Sequence, residues 1–186
     1  LAIVFAALEA LALTKGLPAL ERVAKPAVMV CLFVWLVLNT GLQGLTLWFG
    51  VGLLFSLAGD VLLMISLDRM FVFGLLAFML AHGFYIVGFQ DQFTSASTGA
   101  LLMMVVVAIS AVRLVRRIVS AMQSKGLKRL VIPVIVYSTV ITVMLFAAMS
   151  TIFDLSWRTG ASFLFSLGAL LFFISDIVLA WNKFVS

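Results

Sequence analysis

Thr46-Leu-Trp-Phe-Gly-Val-Gly-Leu-Leu-Phe-Ser-Leu-Ala-Gly-Asp60-Val-Leu-Leu-Met-Ile-Ser66 carries one charged group in an otherwise apolar run. A helix of about 20 apolar residues matches the roughly 30 Å hydrocarbon thickness of a bilayer. This stretch therefore reads as a transmembrane helix with a carboxylate set into it. The same reading extends to spans near 1–14, 26–39, 46–66, 71–90, 97–117, 130–150 and 160–182. Composition agrees: 65% of the 186 residues are hydrophobic, 10% are charged, and the mean hydropathy is +1.31. Soluble domains are nearer half apolar and a quarter charged, so lipid must solvate this surface. The expected fold is an all-α, polytopic membrane helical bundle of seven spans, forming one integral membrane domain over 1–186.

The charges follow the spans. Lys15, Arg22 and Lys25 fall in the expected connection after the first span, and Arg69 after the third. Arg113, Arg116, Arg117, Lys125, Lys128 and Arg129 fall at the end of the fifth and its loop, and Lys183 closes the seventh. With seven alternating spans these eleven lie on one side and Arg158 alone on the other. The positive-inside rule makes the crowded side cytoplasmic and puts the N-terminus outside. That pattern fits a multi-pass protein of a bacterial inner (cytoplasmic) membrane, and the net charge of +5 needs no nucleic acid to explain it. Arg113, Arg116 and Arg117 share one helical face, which suits anionic headgroups or, less simply, a dedicated phosphate site. Pro18, Pro26 and Pro133 are expected in connections or first turns, where a missing N–H costs little. Leu1–Leu13 does not read as a signal peptide, since it carries Glu9 and lacks a basic leader and a cleavage site. Cys31 reads as a packing residue.

Ionisable groups inside a bilayer are costly and usually mark function. Glu9, Asp60, His82 and Asp176 qualify. Asp60 and Asp176 each lie about six residues before the end of an outside-to-inside span, some 9 Å below the cytoplasmic boundary. Glu9 has a similar depth, and His82 lies nearer the middle. Carboxylates at one depth point to one polar cavity open towards the cytoplasm. Gly59-Asp60-Val-Leu-Leu-Met64 and Ser175-Asp176-Ile-Val-Leu-Ala180 are alike, each with a small residue before the acid. Gly52-Leu-Leu-Phe55 likewise echoes Gly168-Ala-Leu-Leu-Phe172, as an old duplication would leave it. Plainer roles exist for each residue: interhelical hydrogen bonding for the acids and His82, packing for Tyr85, snorkelling for Lys25, and pairing with Lys15 for Glu9.

With one His and one Cys, a three-histidine zinc site is impossible within one chain. No phosphate-binding glycine loop, dinucleotide fingerprint or nucleophile elbow occurs, and no cofactor is expected. A mixed Asp/Glu/His metal site stays open in principle, but the residue set suits carboxylate acid/base chemistry better. Two close carboxyls can divide their roles, one protonated and the other charged. That pair suits a reaction through an oxocarbenium ion, as in glycosidases, and vinyl-ether hydrolysis follows the same logic with the proton going to carbon.

These motifs resemble the YhhN-like family of membrane lysoplasmalogenases. The resemblance runs from about residue 25 to the C-terminus. It is carried by Lys25-Pro26, Gly59-Asp60-Val-Leu-Leu-Met64, Phe73-Gly74, Phe78, Ala81-His82, Tyr85, Tyr137, Gly168-Ala169, Ser175-Asp176-Ile-Val-Leu-Ala180 and Phe184. It implies hydrolysis of the vinyl-ether bond of a lysophospholipid substrate, giving a fatty aldehyde and a glycerophospho-headgroup. Asp60 and Asp176 would be the catalytic pair, while His82, Tyr85, Lys25 and Glu9 would bind substrate, Lys25 by meeting its phosphate. It also implies an eighth helix, which would follow Ser186. The rival readings are a proton-coupled transporter, against which the lack of proline within a span counts, and a lipid-binding protein without chemistry.

Overall fold

The computed structural model describes residues 2–66, 68–89, 97–154 and 157–185, and their side chains except 3, 9, 10, 12, 13, 18 and 21. Among the described residues the regular structure is entirely helical: α1 (Ala2–Lys15), α2 (Pro18–Thr40), α3 (Leu45–Ile65), α4 (Phe71–Gly88), α5 (Thr98–Ser124), α6 (Val131–Ser150) and α7 (Thr159–Phe184). Short 3-10 turns flank α6 at Lys128–Leu130 and Thr151–Phe153. Six helices, α2 to α7, are long and apolar enough to cross a membrane, as a multi-pass integral membrane protein requires. α1, with 14 residues, extends about 21 Å at 1.5 Å per residue.

The chain divides into two compact units, Leu1–Gly88 and Phe89–Ser186. In the first, α1 packs on α2, α2 on α3, and α3 most extensively on α4. α2 stops at Gly41, whose left-handed φ of 61° lets its N–H cap the Val37 carbonyl, and Gly44 at φ 59° turns the chain into α3. Both conformations favour glycine. In the second unit α5, α6 and α7 each pack on the other two.

Two expected boundaries move. α2 starts at Pro18 rather than at 26, so Arg22 and Lys25 are helical instead of lying in a connection, and Pro26 is internal to the helix. Pro18 takes the first helical turn, where proline is pre-organised. Pro26 removes the N–H that would have bonded the Arg22 carbonyl, a fault that membrane helices tolerate where neighbouring groups compensate. α5 runs on to Ser124, so its three arginines lie within the helix and not at its end. Arginine is a good helix former, and a helix does not have to stop where its hydrophobic stretch does.

Candidate functional site

α3 and α4 approach closely because small residues face bulky ones. On α3, Gly52, Ser56, Gly59 and Leu63 recur at spacings of four, three and four, which keeps them on one face. A Cβ at Gly52 would collide with the Tyr85 ring, and one at Gly59 would lie 2.7 Å from the Phe78 ring. In return Leu63 fills the space beside Gly74 of α4. Small residues at such an interface let two helix backbones come together, the usual way membrane helices associate.

Asp60 follows Gly59 directly and is buried. Its Oδ1 pairs with Lys25 Nζ from α2 at 2.8 Å. The heights agree: Lys25 is seven residues into α2 and Asp60 five from the end of α3, about 10 and 8 Å from neighbouring helix ends. The carboxylate side chain is 12% exposed and the lysine 38%, so one end of the pair is open. A buried carboxylate with an ammonium partner is far cheaper than one alone.

Two further polar side chains on α4 belong to the same unit. His82 is wholly enclosed. Tyr85, one turn on, has its ring 6.2 Å from the His82 ring. The Tyr85 hydroxyl lies 3.1 Å from Ser56 Oγ, in hydrogen-bonding contact across the α3–α4 interface. Ser56 is itself fully buried one turn before Asp60.

The second unit holds the other acid. On α7 the buried residues Ser162, Ser166, Ala169 and Phe173 form a four-three-four stripe, and three residues on the same stripe reaches Asp176. α6 presents Val134, Tyr137, Ile141 and Ala148 as part of its buried face. Two hydrogen bonds join these helices: Ser166 Oγ donates to the Ala148 carbonyl at 3.0 Å, and the Tyr137 hydroxyl donates to Asp176 Oδ2. Nearer the end of α7, the Arg117 guanidinium of α5 stacks on the Trp181 ring, 4.8 Å from its centre.

Of the residues singled out from sequence, Lys25, Asp60, His82 and Tyr85 all fall on α2 to α4 of the first unit. Lys25 and Asp60 are in direct contact there. Asp176 belongs to the second unit, where Tyr137 holds it. The Glu9 side chain lies outside the described residues. Among the described residues no three His, Cys, Asp or Glu side chains gather as a metal site would require. Sequence reasoning missed Ser56 altogether and gave Tyr137 no role. A signal was present: only two tyrosines stand among seventeen phenylalanines. A hydroxyl in an apolar helix usually finds a partner, and both tyrosines have one.

Six long apolar helices, with acids held against donors from neighbouring helices, define a helical, multi-pass membrane protein. Within that class the sequence model of the YhhN family matches residues 20–186, and the chain belongs to this family. No curated protein and no solved structure matches it.

Proposed function

We propose that this chain is a lysoplasmalogenase, hydrolysing the vinyl-ether bond of a lysophospholipid by carboxylate acid/base catalysis. YhhN family membership supports the reading. The observation that carries it is that each candidate acid is held by a donor from a neighbouring helix of its own unit, Asp60 by Lys25 and Asp176 by Tyr137. Acids merely stranded in lipid would have no such fixed orientation, and catalytic groups need one.

The reaction needs two carboxyl roles, and Asp60 and Asp176 are the residues proposed for them. One carboxyl gives its proton to the alkenyl carbon farther from the ether oxygen. A C–H bond forms from the π pair, and the cation at the neighbouring carbon is shared with oxygen. The other carboxylate stabilises that oxocarbenium ion and takes a proton from the water that attacks it. The hemiacetal then collapses: the carboxyl that took water's proton gives it to the glycerol oxygen as that C–O bond breaks, the hemiacetal hydroxyl returns its proton to the first carboxylate, and a fatty aldehyde leaves. One water is consumed. His82 and Tyr85 orient the substrate or the water, and the open side of Lys25 meets the phosphate while its Nζ holds Asp60.

The topology goes with this reading. α2 to α7 alternate across a bacterial inner membrane with eleven of the twelve basic residues on the cytoplasmic side. A seventh crossing by α1 would leave the N-terminus outside.

A proton-coupled carrier is the second reading; Pro26 lies inside α2, which runs on unbroken, so the expected lack of proline within a span no longer counts against it. Purified protein incubated with a lysoplasmalogen separates the two. Release of aldehyde and headgroup in equal amounts supports the hydrolase. Proton-dependent flux across liposomes with the lipid left intact supports the carrier instead.

A further inference from the structure

We infer that the α5–α6 end of the second unit is a binding surface for anionic phospholipid, with Arg113 and Arg116 gripping the headgroup. α5 has 27 residues, about 40 Å of helix, and overshoots a hydrocarbon core of roughly 30 Å by about 10 Å. Its first turn is fixed by Ser97, whose Oγ accepts from the Ala100 N–H at 3.1 Å. Arg113 stands fifteen residues beyond Thr98, about 23 Å along the axis. With Thr98 at the far boundary, Arg113 lies about 7 Å short of the near one, a gap that a snorkelling arginine side chain spans to reach the headgroups.

Arg113, Arg116 and Arg117 are all exposed, as are Lys125, Lys128 and Arg129 in the turn that follows. Between residues 97 and 153 the sequence contains no Asp or Glu. Arg117 is occupied by Trp181. Arg113 and Arg116 make no hydrogen bond or ion pair with any described residue. Concentrated cations at a membrane boundary without acids of their own call for anions from outside the protein.

The surface beneath these arginines decides which anion. Leu102, Val106 and Ile109 precede Arg113 on one stripe of α5 at spacings of four, three and four. They are 65%, 64% and 48% exposed. An apolar track leading to a cationic end suits a molecule built likewise, with acyl chains below and phosphate above. A free phosphate would leave the track unused. A zwitterionic headgroup would bring its own cation to a surface already crowded with them.

The test is native mass spectrometry of the full chain released from nanodiscs of equal phosphatidylcholine and phosphatidylglycerol. Wild-type protein should retain phosphatidylglycerol in preference. One basic group at an anionic surface contributes roughly fivefold, so Arg113→Gln with Arg116→Gln should reduce the preference by about 30-fold. Arg113→Lys with Arg116→Lys should keep most of it. Equal retention by the glutamine variant would overturn the inference, and so would displacement of the lipid by millimolar inorganic phosphate. If the glutamine variant is not recovered folded, Lys128→Gln with Arg129→Gln in the turn gives a graded loss, and no loss there overturns it too.

Discussion

Replacing Lys25 by Met removes the ammonium 2.8 Å from Asp60 and leaves the rest of α2 able to pack. The magnitude follows from exposure. Breaking a fully buried ion pair costs about 3–5 kcal/mol because a charge is left behind, whereas an exposed pair contributes at most about 1 kcal/mol. Here the carboxylate is 12% exposed and the lysine 38%, which places the loss at about 2 kcal/mol between those limits. Asp60→Asn in the same background removes the stranded charge, so the double variant should recover much of that stability. The two substitutions then couple by about 1–2 kcal/mol. Unfolding of the four proteins in one mild detergent, read by tryptophan fluorescence, measures this cycle. Losses that simply add, to within about 0.5 kcal/mol, would show that the pair does not hold α2 to α3.

Gly52→Ala puts a methyl group into the Tyr85 ring and pushes the hydroxyl from Ser56. Overpacking and the lost hydrogen bond together should cost about 2–4 kcal/mol, whereas Gly160→Ala, with open space around it, should cost little in the same unfolding assay. Tyr137→Phe keeps the ring but removes the hydroxyl that donates to the Asp176 carboxyl; kcat for a lysoplasmalogen should fall about tenfold or more with KM nearly unchanged, and a rise in KM alone would speak against a role in orienting the acid. Because both proton transfers are assigned to side-chain carboxyls, EDTA should leave turnover unaltered, and a loss restored by zinc would contradict that assignment.

The helices were legible because hydropathy alone demands them, and the break between the second and third because the apolar runs 26–39 and 46–66 leave a gap there. The start of α2 was not legible. Arg22 and Lys25 read as a connection, since a charge near an apolar run ordinarily marks its boundary. Tertiary pairing overrode that signal, because Lys25 has Asp60 to face. Pro26 was assigned to a first turn for the same reason. The end of α5 failed differently: the expected span stops at 117, the last of its three arginines, whereas the helix continues to Ser124. As for the site, residue types were readable but partners were not. Lys25 and Asp60 are 35 positions apart, and Tyr137 and Asp176 are 39. Such pairings depend on how neighbouring helices are rotated, which one-dimensional periodicity leaves open.

The most direct measurement is aldehyde release from a lysoplasmalogen by purified wild-type, Asp60→Asn and Asp176→Asn proteins, each checked for an intact fold. Wild-type turnover with each asparagine variant slower by 10² to 10⁴ is the predicted outcome, the range a positioned acid or base typically contributes. No aldehyde from the wild-type protein, or near-native rates from both variants, would contradict a reaction run by these two carboxyls.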